Sequence, residues 1–100
     1  MNQTFSSKEF KKALNYCAEA WAMRKDLFGE LHPDTLISAV DVAVCNCELG
    51  HVHAGFQIID DSLKNISRDH PRYEYLKERR RNLQTRFSRP GFRQISKRSR

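Results

Sequence analysis

The sequence predicts an all-α domain of about four helices, arranged as a short array of antiparallel hairpins with a C-terminal capping helix and a basic tail. The first observation is periodicity, because apolar residues recur every three or four positions along most of the 100 residues. The second is that prolines and glycines stand where helices begin and end. We predict no strand, and helices over four ranges: 7–28, 33–49, 52–67 and 71–87.

A helical hairpin over residues 32–67 organises the chain. Pro33 fits the first turn of a helix, where its missing N–H has no partner and its φ is already helical. The apolar stripe that follows is wide enough to contact two neighbouring helices; it includes Leu36, Val40, Ala43 and Cys47. Glycines suit the left-handed residue that ends a helix, so Gly29 and Gly50 end the first and second helices.

The segment HPDTL at residues 32–36, the pattern A-x-x-x-x-x-L-G from Ala43 to Gly50, and the small Gly55 together resemble a tetratricopeptide repeat. The variant is the one found in kinesin light chains. The resemblance implies that Ala43 is the small residue of helix A and that Gly55 and Ser62 are those of helix B. Two His-Pro pairs, at 32–33 and 70–71, lie 38 residues apart, within the family's range of periods.

The resemblance implies one domain over residues 1–87, which begins midway through a repeat. Its parts are a partial repeat 7–31, a full repeat 32–67 and a capping helix 71–87. Ala13 and Ala20 match the two small positions of a helix B. The capping helix carries one narrow apolar stripe, as a terminal helix facing water needs. The alternative is a plain orthogonal four-helix bundle without repeat ancestry.

The first helix is expected to bind a partner or a second copy of the chain, because no helix A precedes it. Large apolar residues on exposed surfaces usually mark interfaces. The predicted N-terminal interface consists of Phe10, Leu14, Trp21 and Phe28. Trp21 is expected nearest the boundary, since large aromatic residues supply much of the energy at interfaces.

The resemblance also implies a partner groove on the concave side of the full repeat. Its predicted residues are Ile37, Val40, Val44, Cys47 and Glu48. This surface is apolar with one acid, which favours an apolar segment or helix over a terminal carboxylate. The alternative is that the same residues simply pack against the neighbouring helix.

The net charge of +6 hides a strong asymmetry. Residues 1–66 hold 6 Lys and Arg against 9 Asp and Glu, whereas residues 67–100 hold 12 against 3. Arginine-rich segments bind phosphate backbones or acidic protein surfaces, so we predict an anion-binding set and a flexible basic tail over residues 88–100. The alternative is a tail that only solubilises the chain. The set is Arg79, Arg80, Arg81, Arg86, Arg89, Arg93, Lys97, Arg98 and Arg100.

The residues suggest no catalysis, no cofactor and no metal. Cys45 and Cys47 are two positions apart on a predicted helix, so their side chains diverge by about 200° and cannot both reach one ion. Three cysteines without a framework spacing favour a reducing compartment, and no stretch has the length and apolarity of a membrane span. We therefore expect an intracellular, most simply cytoplasmic, protein.

Two function classes follow. The first is a non-catalytic scaffold module that binds protein partners within a larger assembly. The second is an arginine-rich, nucleic-acid-contacting subunit of a ribonucleoprotein complex. Binding of nucleic acid through several phosphate contacts would weaken by orders of magnitude between about 50 and 200 mM salt, whereas groove binding would change modestly.

Overall fold

A computed structural model describes residues 7–87, and this part of the chain is all helix, turn and loop, without a strand. This confirms the predicted all-α class. The helices are α1 (Ser7–Phe28), α2 (Pro33–Glu48), α3 (Val52–Lys64) and α4 (Tyr73–Phe87). α1 has the predicted bounds, α2 and α3 end one and three residues early, and α4 begins two residues late. The predicted tail, residues 88–100, lies outside the described residues.

Helix α2 is the centre of the domain. Short loops fold α1 and α3 back along it, and α4 packs on both α2 and α3. The apolar core therefore comes from three helices and contains no residue of α1. Its buried members are Leu36, Val40, Ala43, Cys47, Ile59, Leu76 and Leu83. α1 is fastened to α2 partly by polar contacts: Arg24 donates to the Ser38 hydroxyl at 2.6 Å, and the Thr35 hydroxyl donates to the Arg24 carbonyl at 3.2 Å.

The α2–α3 hairpin has an unusually close crossing at Gly55. A Cβ atom placed there would lie 2.6 Å from the Cys47 sulfur and 2.7 Å from the Ala43 carbonyl oxygen. Ala43 itself is fully buried. The two small residues named from the sequence thus lie together where α2 and α3 are in close contact.

Both His-Pro pairs use the same cap. His32 Nδ1 accepts from the Asp34 amide at 3.0 Å, and His70 Nδ1 accepts from the Arg72 amide at 2.9 Å. Because Nδ1 of His70 accepts, its proton sits on Nε2, which donates to the Leu31 carbonyl at 2.6 Å. The Tyr73 amide also bonds the His70 carbonyl, so that a turn precedes α4 and delays its start. His70 therefore ties the start of α4 to the loop before α2.

Helices α2 and α4 face each other through equivalent positions. Arg86 of α4 forms an ion pair with Glu48 of α2, and Arg79 interacts electrostatically with Asp41. Each pair is separated by 38 residues, the same interval as the two His-Pro caps. The described domain is therefore a helical-repeat-like, all-α array in which caps and charge pairs recur at the same interval.

Candidate protein-interaction surfaces

Only three of the five residues of the predicted partner groove remain partly accessible to a partner. Val40 and Cys47 are 0% and 1% exposed and belong to the core cluster, so no partner reaches them in this structure. The reason is that α2 is the central helix, and this side of it faces α3 and α4. Ile37, Val44 and Glu48 are half-buried and line the remaining surface.

Charged residues cover the space between α2 and α4. Asp41 lies between Ile37 and Val44 at helical spacing and adds a second acid to this face. Arg79 and Arg86 extend from α4 toward the two acids. A ligand for this groove would have to compete with these attractions, which does not favour the predicted apolar segment.

Asp41 has cationic neighbours on two sides. Partial burial raises the pKa of its carboxyl, and the guanidinium groups of Arg79 and Arg24 oppose that rise. Arg24 comes from α1 and also donates to Ser38. Polar and charged side chains therefore link α1, α2 and α4 around Asp41.

The predicted N-terminal interface residues have other roles. Phe10 and Leu14 are half-buried and share a helix face with Cys17, whose thiol contacts Cys45 of α2. Thus two of the predicted residues point toward α2, and most of their surface is already covered.

Trp21 and Phe28 are also engaged within the chain. Trp21 is half-buried, carries the Lys25 ammonium 4.2 Å above its ring, and helps to line a cavity of about 180 Å³ between α1 and α3. Phe28 stacks on His32 with ring centroids 4.6 Å apart, although 48% of it is exposed. Neither residue is the most exposed apolar group of α1.

A different side of α1 is open and apolar. Tyr16, Met23 and Leu27 are 74%, 60% and 71% exposed, the largest values for large hydrophobic residues in the described chain. With Ala13 and Ala20 they form a stripe that we call the outer face of α1. The stripe was detectable in the sequence, because its five positions are separated alternately by three and four residues. Sequence reasoning missed it because larger aromatic residues marked the neighbouring face.

The outer face of α1 also has the shape of a helix-packing surface. Ala13 and Ala20 are seven residues apart, like Gly55 and Ser62 of α3. In α3 Gly55 faces α2 so closely that a Cβ atom there would clash with Ala43 and Cys47. Small residues at this spacing let a second helix approach closely. The large residues of the outer face are exposed and its two alanines are half-buried within residues 7–87, so α1 presents the kind of face with which α3 packs on α2.

The arginines of α4 are partly neutralised inside the domain. Arg80 forms an ion pair with Asp60 at 2.6 Å, its guanidinium lies 5.1 Å from the Phe56 ring centroid, and the hydrogen bond to Asp60 raises its pKa. Arg86 pairs with Glu48. Arg81 is exposed. Arg79 is half-buried and interacts electrostatically with Asp41. The remaining five predicted anion-binding residues lie outside the described part of the chain: Arg89, Arg93, Lys97, Arg98 and Arg100.

The cysteines do not assemble a site. Cys45 and Cys47 are buried, and His51 and His53 are exposed in the neighbouring turn and helix start. Among residues 7–87, no group of three His, Cys, Asp or Glu side chains converges to hold a metal ion. The thiols of Cys17 and Cys45 are instead neighbours, one on α1 and the other on α2.

The buried Cys45 thiol predicts a loss of stability in alkali. Burial, followed by the adjacent Cys17 thiol, raises the pKa of Cys45 from its ordinary 9.0 to about 11. Its contribution to stability is therefore fully present below pH 9 and is lost as the pH rises through about 11. The free energy of unfolding, measured by urea titration over this range, should fall more steeply for the wild type than for Cys45→Ala. An equal pH dependence of the free energy of unfolding in the two proteins would show that ionisation of Cys45 does not cause the loss.

The fold and these surfaces define a class: an all-α, helical-repeat-like domain with one exposed apolar helix face. None of the four described helices is long and apolar enough to cross a membrane. No family model, curated protein or solved structure matches the chain.

Proposed function

We propose that this chain is a non-catalytic protein–protein interaction module of the tetratricopeptide type, which acts as a scaffold within a larger assembly. The observation that carries the proposal is the outer face of α1. Tyr16, Met23 and Leu27 are all more than half exposed on one side of one helix. Contiguous apolar surface of this kind is rare on proteins that work alone and commonly marks an interaction site.

Three features support the tetratricopeptide assignment. The HPDTL segment begins α2, as it begins helix A in the family it resembles. Ala43 and Gly55, the small residues expected at the crossing of helices A and B, are in close contact. The caps and the α2–α4 charge pairs both repeat at 38 residues.

The proposed binding surface is the outer face of α1 and not the concave groove. The Glu48–Arg86 ion pair lies between α2 and α4, and two of the predicted groove residues, Val40 and Cys47, are buried. Three free cysteines support an intracellular, cytoplasmic setting, where thiols stay reduced.

The second candidate, a nucleic-acid-contacting subunit of a ribonucleoprotein, is supported by the excess of Lys and Arg in residues 67–100. Within the described chain, however, Arg80 and Arg86 form ion pairs with Asp60 and Glu48, which neutralise part of that positive charge. Such pairing lowers the positive potential that α4 offers to phosphates.

A cross-linking capture experiment tests the proposal. The tagged chain is recovered from cells that express it, and the wild type is compared with Met23→Glu/Leu27→Glu. These two positions are exposed, so the variant should fold normally while a charged stripe no longer accepts an apolar partner. We expect partners cross-linked to α1 to be lost in the variant, to survive nuclease, and to change little with salt.

The matched control is Ala18→Glu/Ala22→Glu, which adds the same charges at two exposed positions on another side of α1. It should retain the partners. If the partners persist in the stripe variant, the outer face is not the binding surface. If they disappear with nuclease, or if affinity drops by orders of magnitude between about 50 and 200 mM salt, the ribonucleoprotein candidate is favoured.

A further inference from the structure

We propose that the occupant of the outer face of α1 is the α1 helix of a second copy, packed antiparallel about a two-fold axis. This rests on the proposed function, because it names the partner of the same surface. A two-fold contact uses the same patch on both copies, so the patch must be complementary to itself. The outer face meets this requirement in the sizes of its side chains and in its charges.

The side chains alternate between small and large along the stripe. In an antiparallel pair, Tyr16 can lie opposite Ala20 of the second copy, and Met23 opposite Ala13 of the second copy. Tyr16 and Met23 then each fill the space left by an alanine, as in closely packed helix pairs. A parallel pair in register would instead place Tyr16 on Tyr16 and Ala20 on Ala20, which alternates crowding with gaps.

The charges beside the stripe agree with the antiparallel arrangement. Lys12, Glu19 and Asp26 are exposed, lie seven residues apart on one flank of the stripe, and take part in no ion pair within residues 7–87. In an antiparallel pair each flank meets itself, so Lys12 lies opposite Asp26 of the second copy, twice by symmetry. Glu19 lies near the axis, where two exposed carboxylates repel weakly.

The size of the contact sets the expected affinity. α1 has 22 residues, which at 1.5 Å per residue gives a length of about 33 Å. A contact between two such helices is small compared with standard interfaces, which bury roughly 800 Å² per partner. We therefore expect a reversible dimer that dissociates in the micromolar range.

Sedimentation equilibrium of the full 100-residue chain, over a range of concentrations, tests the inference. Lys12→Glu and Asp26→Lys should each weaken dimerisation about tenfold, because each converts two attractions into two repulsions. The double variant, and an equimolar mixture of the two single variants, should recover wild-type affinity. Lys11→Glu makes the same charge change on another side of α1 and should have no effect.

The outcomes separate this inference from the proposed function. A chain that stays monomeric at all concentrations overturns the proposal that a second copy occupies the outer face of α1. A dimer that Met23→Glu/Leu27→Glu leaves intact overturns it as well. A dimer sensitive to that variant but not restored by the charge exchange overturns the antiparallel register. If the chain is monomeric while the capture experiment recovers partners dependent on the stripe, the proposed function stands and only this inference fails. If neither is found, both fail.

Discussion

Leu76→Ala is expected to lower the free energy of unfolding by about 2–5 kcal/mol, the usual range for removing a leucine side chain from a well-packed core. Leu76 is fully buried and is one of only two buried residues that α4 contributes to the core in the described chain. Its loss leaves a cavity between α4 and the α2–α3 hairpin. Urea denaturation followed by circular dichroism measures the effect, and Glu78→Ala, an exposed change on the same helix, should stay within about 0.5 kcal/mol.

This prediction also tests whether α4 belongs to the cooperative unit. The helix is held by its buried leucines, by two ion pairs and by the His70 contact to Leu31. If Leu76→Ala left the midpoint of unfolding unchanged, α4 would be an attached helix and not the packed cap of the array. In that case α4 could also detach from α2, and Arg79 and Arg86 would lose their interactions with Asp41 and Glu48.

Local rules of sequence predicted the four helices, although not every boundary. Gly29 and Gly50 have the positive φ values of 97° and 93° that end a helix in this way, and Pro33 is the first residue of α2. The late start of α4 was not predicted, because Pro71 suits a first helical turn. Only the structure shows the His70 turn and its bond to Leu31, which is 39 positions away in sequence.

The orientation of α1 could not be predicted from periodicity. From Tyr16 through Cys17 to Leu14, apolar positions cover an arc of about 160° around the helix, at 100° per residue. Such a wide arc shows that the helix has two contacts but does not show which of them is made inside the chain. The structure assigns Leu14 and Cys17 to the α2 side and leaves Tyr16 outside.

The prediction that Val40 and Cys47 line a partner groove was wrong for a related reason. The apolar stripe of α2 contacts α1, α3 and α4 at once, so the residues assigned to a partner were partly needed by the core. The arginines that face Asp41 and Glu48 come from a helix more than 30 positions away in sequence. Their pairing depends on the parallel placement of α2 and α4, which no local pattern encodes.

Gly55→Ala is expected to destabilise the domain by about 1–3 kcal/mol, the range for overpacking a filled core. The sign is informative, because Gly→Ala inside a helix normally stabilises by roughly 0.5–1 kcal/mol. Here the added methyl would lie 2.7 Å from the Ala43 carbonyl oxygen, so the backbones of α2 and α3 must separate. The Cys47 sulfur, 2.6 Å from the same point and buried, has little room to move aside. The measurement is again urea denaturation.

His53→Ala is the matched control, since it lies in the same helical turn but is exposed and should change stability by less than about 0.5 kcal/mol. Ala43→Phe tests the opposite side of the crossing and should destabilise the hairpin in the same direction. If Gly55→Ala were neutral or stabilising, the helices could separate without loss, and the close crossing would not define the hairpin. The tetratricopeptide assignment would then lose its main structural support, because the small residues of that repeat are explained by this approach of helix A to helix B.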